Sequence, residues 1–444
     1  MLVLPQTPPV ALPFTNPNVS SQLVSLRAAI QVSQHSIDTT AYLIHLEDYL
    51  SSILHGVKTN SFKYDTIICE GIPWTSINLP KQNKLSKFSP SSGSSLDDKV
   101  SWSVQNEIYM TLISITLTYL KKAAESTNEI ISQDTNNVDE FNENWKRITS
   151  YYKTAISYVL YAMELQRCET VKDGTKLNGI LLNVIHKVCE ISIQMVILIK
   201  FSWINRNAFE YKNETIQTEN NSTLCKVAIY ILQELKVIRN LINNMSLSSN
   251  DQVYDFTLDY SDWLDYLNVI EKYINGYAGL FLSLQMYKED KLGNAIGLVH
   301  FSLLSLQSKK SIAAEPVKSK NVLRNVKTKI SNKKNDSLLS RLSSVSSLQV
   351  DKSAFNEKTS PSSKLILNDL TYLFDQLIKL NLKFTKENDN LKFDTIVNWQ
   401  DIFVDSKWPT GYAIPVSSIK PYDPFPVDAS DQDKHEYAGR GAYY

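Results

Sequence analysis

Phe141-Asn-Glu-Asn-Trp145-Lys-Arg-Ile148-Thr-Ser-Tyr-Tyr152-Lys-Thr-Ala155-Ile-Ser-Tyr-Val159-Leu-Tyr-Ala162 decides the fold class of this chain. Its apolar residues Phe141, Trp145, Ile148, Tyr152, Ala155, Val159 and Ala162 return at alternating steps of four and three. That is the step pattern of an α-helix, and it gathers these side chains into one stripe that must pack against another helix.

The same period continues in both directions. Upstream, Val104, Ile108, Leu112, Ile115, Tyr119 and Ala123 make a second stripe. Leu23, Leu26, Ile30, Ile37, Ala41 and Ile44 predict one long helix after Asn16-Pro-Asn18. Downstream, Leu177, Leu181, Val184, Val188, Ile191, Met195 and Leu198 mark a helix over 176–209, and Val227, Ile231, Leu235, Ile238, Ile242 and Met245 mark the next. A helix from Trp263 to Tyr287 is followed by Lys291-Leu-Gly-Asn-Ala-Ile-Gly297 and a short helix through Leu306. Small residues at Ala278, Gly293, Ala295 and Gly297 let these two helices cross closely, the pattern of one tetratricopeptide-like hairpin. No clean 34-residue period recurs, so a full repeat array is not supported. Ile366, Leu370, Leu373, Leu377, Leu380 and Phe384 make the last stripe. The expectation is an elongated all-α domain spanning 1–444, with at most a small edge of strand.

Two stretches interrupt the pattern. Residues 57–98 hold Pro73, Pro80 and Ser89-Pro-Ser-Ser-Gly-Ser-Ser95 and read as a flexible Ser-rich insertion. Residues 308–363 turn basic: eleven Lys or Arg stand against three Asp or Glu between Lys309 and Lys352, too polar to fold alone. Such a segment either stays a solvated, disordered loop or offers a basic surface to anionic lipid, with Ser343, Ser344, Ser346 and Ser347 as phosphorylation candidates. The closing segment, 394–444, is extended and rich in Pro and aromatics. Pro409, Pro415, Pro421, Pro424 and Pro426 alternate with Trp408, Tyr412, Tyr422 and Phe425. A strip of this kind covers an apolar face, or else Pro421-Tyr-Asp-Pro424 is a ligand for a partner domain.

Lys plus Arg and Asp plus Glu are both 46, so no global charge draws the protein to nucleic acid or to acidic membranes. The four cysteines include no Cys-x-x-Cys pair and sit among apolar residues, which fits small buried hydrophobes in a reducing compartment. The N-terminus lacks a basic region followed by an apolar run, so a signal peptide is not expected. The most apolar window, Ile191 to Ile204, reads as too short to span a bilayer and contains Lys200. The expected location is the cytoplasm.

No catalytic chemistry is legible. Phosphate-loop, zinc-protease and nucleophile-elbow motifs are missing from the sequence. His35, His45 and His55 recur every ten residues, which sets them about 80° apart in turn on a helix and builds no metal face. Gly439-Arg-Gly441 has no strand before it. The expectation is a non-enzymatic protein without cofactor or metal.

Three passages together resemble the Bro-type domain, and within that family the fungal palC branch. Asn144-Trp-Lys-Arg-Ile-Thr-Ser-Tyr-Tyr-Lys-Thr-Ala155 is similar to the aromatic helix before the family's central hairpin. Tyr287-Lys-Glu-Asp-Lys-Leu-Gly-Asn-Ala-Ile-Gly297 is similar to its tetratricopeptide-like element, with Asn294 where Glu is usual. Trp408-Pro-Thr-Gly-Tyr-Ala-Ile-Pro415, Lys420-Pro-Tyr-Asp-Pro-Phe-Pro426 and Tyr437-Ala-Gly-Arg-Gly-Ala-Tyr-Tyr444 resemble its proline-rich close and the palC tail. The resemblance implies a boomerang-shaped helical adaptor that binds the C-terminal helix of an ESCRT-III subunit. It also implies scaffolding of ambient-pH signalling, with other components of that pathway, towards proteolytic activation of a transcription factor. Recruitment would be to the plasma-membrane cortex or to endosomal ESCRT sites, with membrane contact indirect or through the basic segment. The alternative is an ESCRT-associated trafficking adaptor in endosomal cargo sorting. The sequence given stops at Tyr444 without the coiled-coil arm of trafficking relatives, which favours the signalling expectation.

Within that frame the helix over 176–209 is the candidate surface. Ile193, Val196, Ile197 and Phe201 lie off its core stripe yet are apolar, and Glu190 is the acidic residue retained beside them. A helix apolar on two faces touches two things, either both inside the fold or one of them a partner. In the tail, Tyr437, Tyr443 and Tyr444 supply anchoring rings, Gly439 and Gly441 allow close backbone approach, and Arg440 offers a forked bond to a carboxylate. The tail is expected to be docked.

Overall fold

The computed structural model describes residues 1–16, 19–35, 39–79, 100–168, 175–248, 255–307, 362–398, 401 and 408–426. Among these, nine α-helices dominate: α1 (Ser21–Ser33), α2 (Thr39–Lys58), α3 (Val104–Ile131), α4 (Asn142–Arg167), α5 (Gly179–Tyr211), α6 (Asn221–Ser248), α7 (Trp263–Lys288), α8 (Leu292–Ser305) and α9 (Ser362–Glu387). Each packs on the next in chain order, and α9 also returns to α3 and α7. The stripes that define the helices in sequence are the residues this packing buries. In α4, Trp145, Ile148, Tyr152, Ala155, Val159 and Ala162 are all buried. Side chains such as Ile148 and Val159 each contribute about 1.5–3 kcal/mol when fully removed from water.

Among the described residues strand is confined to five short pieces: β1 (Ile67–Glu70), β2 (Ile77–Asn78), β3 (Ser101–Ser103), β4 (Lys176–Leu177) and β5 (Asp255–Leu258). β1 pairs antiparallel with β3, while β5 lies between β2, antiparallel, and β4, parallel. The described part of the Ser-rich stretch is therefore not a flexible insertion. Residues 57–79 carry β1 and β2 and bury Ile68, Cys69 and Trp74. The remainder of that stretch and the basic stretch up to residue 361 lie outside the described residues.

The single long helix expected over residues 23–44 is two helices. The backbone N–H of Gln34 bonds back to Ile30 and ends α1. The Gln34 side-chain amide then pairs with both backbone groups of Ala11, accepting from its N–H at 2.9 Å and donating to its carbonyl at 3.3 Å. A stripe of apolar residues cannot reveal this pairing, in which a polar side chain past the end of α1 meets a distant segment.

The N-terminal third is held by one buried carboxylate. Glu107, fully buried in the first turns of α3, accepts from Tyr49 Oη at 3.1 Å, Trp74 Nε1 at 2.9 Å and Trp102 Nε1 at 2.8 Å. Arg27, 2% exposed, pairs with it and donates to the carbonyls of Leu12 and Pro73. The guanidinium also lies 4.5 Å from the ring centre of Phe14 and 4.8 Å from that of Trp74. The two charges are paired with each other, which is the condition for burying them at all.

Gly293, expected to serve the crossing of α7 and α8, has another role. A Cβ there would strike the Thr395 carbonyl, so glycine lets the chain after α9 run across the start of α8. Asp394 Oδ2 caps that helix, accepting from the amides of Leu292 at 3.0 Å and Gly293 at 3.2 Å. The expected limit on α5 also needs correction. The helix has 33 residues and is apolar enough to cross a membrane by length and composition, but 67% of its most apolar stretch is buried inside the fold. It is the central helix of the packing, with α4 and α6 beside it and contacts to α3.

Two outcomes follow from these buried charges. Arg27→Met strips Glu107 of its cation and should cost about 3–5 kcal/mol in a urea titration; a loss below about 1 kcal/mol would mean the pair is solvated. His300 in α8 is 2% exposed, and burial pulls its pKa from 6.5 to about 4 despite the bond to Asn381 at 3.0 Å. The folded state therefore resists protonation, so stability should be lost as pH falls from 6.5 to about 4. His300→Gln should remove a part of that loss worth roughly 3 kcal/mol, and an unchanged acid limb would refute the assignment.

Candidate partner-binding face

Because neighbouring helices flank α5, only a narrow strip of it faces outward. Along it lie the half-buried Glu190, Ile197, Lys200, Phe201 and Ile204, with the buried Gln194 between Glu190 and Ile197. Of the candidates drawn from the sequence, Ile193 and Val196 are core side chains, 3% and 4% exposed. An apolar residue off one helical stripe still turns inward when the helix is packed on more than one side. Glu190, Ile197 and Phe201 remain on the outer strip.

Charge closes one end of the strip. Lys187 donates to Glu190 at 3.0 Å and to Glu234 on α6 at 2.9 Å. Burial works to lower the Lys187 pKa, but the bonds to Glu234 and Glu190 outweigh it and raise it. The lysine therefore stays charged through the neutral range.

Residues 408–426 cross this face as an extended strap, from α8 over α6, α5 and α4 to α2. Trp408 packs on Phe301 with ring centres 5.4 Å apart, and the Tyr412 amide donates to the Lys226 carbonyl of α6 at 3.1 Å. Gln194, 4% exposed, spends its amide on the strap backbone: Ile414 N–H donates to Oε1 and Nε2 donates to the Ile414 carbonyl, both at 3.0 Å. On α4, Ser157 repeats the device. Its hydroxyl donates to the Lys420 carbonyl at 2.9 Å, and its own carbonyl accepts from the Tyr422 amide at 2.9 Å. Tyr422 then stacks on Tyr158 with ring centres 4.5 Å apart, and Lys58 Nζ sits 3.8 Å from the ring centre of Phe425. The body addresses the strap mainly through its backbone, so Tyr422 of Pro421-Tyr-Asp-Pro424 is turned onto the helices.

A family model described as "Family of unknown function (DUF5355)" matches residues 102–444, more than half of the chain. The chain belongs to that family. The DUF5355 region opens at Trp102, one of the two indoles on Glu107, and takes in α5 and the whole strap. No curated protein matches. Among solved structures, the chain is similar to one described as "Structure basis for endosomal targeting by the Bro1 domain", at 13% identity and a TM-score of 0.43, over 88% of this chain and 83% of that one.

Gln194 is the residue that the reading of the sequence missed. Its signal was available: a lone amide inside Ile191-Ser-Ile-Gln-Met-Val-Ile-Leu-Ile199 needs a partner once buried. The tail candidates Tyr437, Gly439, Arg440, Gly441, Tyr443 and Tyr444, and the phosphorylation candidates Ser343 and Ser344, lie outside the described residues.

Gly411 marks where the strap comes closest to a helix. A Cβ there would stand 2.8 Å from the Tyr230 amide nitrogen and 2.9 Å from its Cα, backbone atoms that cannot move aside. Gly411→Ala should therefore lift the strap from α6, at a cost of about 1–3 kcal/mol. Hydrogen exchange should speed up at the Tyr412 and Ile414 amides, and unchanged exchange there would show that this contact does not hold the strap.

Proposed function

We propose that the chain is a non-enzymatic Bro-type adaptor of the palC branch whose outer α5 strip receives the C-terminal helix of an ESCRT-III subunit. In this reading it scaffolds ambient-pH signalling that ends in proteolytic activation of a transcription factor. It works in the cytoplasm and is recruited by its partners to the membrane cortex or to endosomal ESCRT sites. The observation that carries the reading is the half-buried strip of Ile197, Phe201 and Ile204, with charge at one end and the strap across it at Gln194. An amphipathic helix places its i, i+3, i+4 and i+7 anchors in a strip of this form. The resemblance of the aromatic helix, the hairpin element and the proline-rich close to Bro-type domains supplies the class of partner.

Capture of purified ESCRT-III C-terminal helices on the full chain tests it. The wild type should retain one subunit, and Ile197→Asp and Phe201→Asp should each weaken capture by about tenfold or more, since an anchor is worth on the order of 1–2 kcal/mol. Both variants should stay folded, because a half-exposed side chain can hydrate a charge. Ile193→Asp should unfold the protein instead, with a buried unpaired charge costing several kcal/mol. Wild-type capture by Phe201→Asp would remove α5 as the binding face.

A further inference from the structure

Where the strap ends, it completes a cluster of tyrosines around a carboxylate. Glu47 of α2 is half-buried, and its Oε1 accepts from Tyr119 Oη at 2.8 Å and from Tyr158 Oη at 3.0 Å. Tyr119 and Tyr158 lie near-parallel with ring centres 6.1 Å apart. Tyr422 stacks on Tyr158, and Tyr161 meets Tyr422 edge-on at 5.7 Å. Tyr119, Tyr161 and Tyr422 are half-buried, so the cluster is open to solvent along one side.

Electrostatically the cluster is one-signed. Burial comes first in raising the hydroxyl pKa of Tyr119, Tyr158, Tyr161 and Tyr422, and nearby anions push them further: Glu47 for three of them, Asp423 and Glu164 for Tyr161, Asp423 for Tyr422. Among the described residues no lysine or arginine offsets these effects. Among the described residues no ion pair involves Glu47. Lys122 stands over Tyr151, the ring at the far edge of the group, 5.5 Å from its centre, and donates to Thr40.

The same fold shows what such a set of groups holds. At Glu107 a carboxylate that accepts from a tyrosine and two indoles pairs with the Arg27 guanidinium, and aromatic rings surround that cation. Elsewhere in the fold the buried Arg206 lies 4.3 Å from the ring centre of Tyr372 and pairs with the exposed Asp134. The Glu47 cluster has the carboxylate and the rings but, among the described residues, no guanidinium.

We propose that the Tyr119–Tyr158–Tyr161–Tyr422 cluster with Glu47 is a docking site for an arginine side chain presented by a partner protein. Ring faces attract a cation, and a planar guanidinium adds hydrogen bonds to carboxylate and carbonyl oxygens that a quaternary ammonium cannot make. Since Tyr422 belongs to the strap, an arginine bound there ties the strap to α2 and α4. The site is separate from the α5 strip and does not depend on the reading given to it.

Fluorescence anisotropy of a labelled tetra-arginine peptide with the full chain tests the site. Binding should be tighter than that of tetra-lysine. It should fall about tenfold or more in Glu47→Gln, which keeps an oxygen for both tyrosine hydroxyls while losing the charge. Tyr161→Leu, which leaves Glu47 in place, should also weaken it, whereas Glu271→Gln on α7 should not. Circular dichroism should be unchanged in all three. Undiminished binding in Glu47→Gln, or equal binding of tetra-lysine, overturns the proposal. So does displacement of the peptide by tetramethylammonium as effectively as by free arginine, a result that would point to a choline headgroup instead.

Discussion

A carboxylate buried in the first turns of a long helix sets the terms for the N-terminal third of this protein. Glu107 is fully buried, and a carboxylate there without partners would cost several kcal/mol. Its partners come from α1, α2, the chain at Trp74 and β3, so each of these has to arrive for the charge to be tolerated. Hydrophobic burial alone would let α1 and α2 slide on α3, because apolar contact has no direction. Hydrogen bonds to one carboxylate do have direction, and they fix where the two indoles and the Arg27 guanidinium stand.

This constraint explains what could and could not be read from the residues. Helical stripes such as Trp145 to Ala162 are legible because burial and period are one fact. The charges inside are not. Arg27 and Glu107 look in sequence like any solvated pair, being 80 positions apart and lacking a motif, and the fate of the chain around Trp74 depends on them. The break between α1 and α2 is likewise not written in the apolar stripe: past the end of α1, Gln34 pairs with Ala11, a long-range contact with no local signature. On α5 the apolar residues off the core stripe divide: Ile193 and Val196 face the core, and Ile197 and Phe201 look outward. Periodicity gives the angle between residues on a helix; it does not say how many neighbours the helix has.

The strap reconciles the composition of α5 with its position. A 33-residue helix this apolar would leave an unsolvated stripe wherever a neighbour is missing. The strap crosses that stripe at Gln194 and packs Ile414 and Val416 against the core, while Ile197, Phe201 and Ile204 stay half open. A surface of this kind is stable without a partner and still has apolar area to bury against one.

The way the strap is held has a further consequence. Lys226, Gln194 and Ser157 bond to backbone groups at Tyr412, Ile414, Lys420 and Tyr422, so most strap side chains are free of polar duty. Besides the ring contacts of Trp408 with Phe301 and of Phe425 with Lys58, two positions are held closely. Gly411 has no room for a Cβ, and Tyr422 places its ring against Tyr158. The strap is thus pinned near one end by a close approach and near the other by stacking, with an address between them that any extended segment could satisfy. Its own side chains matter most at those two pins. The Tyr422 pin sits beside Glu47, so a cation arriving at that carboxylate would act directly on how firmly the strap is closed.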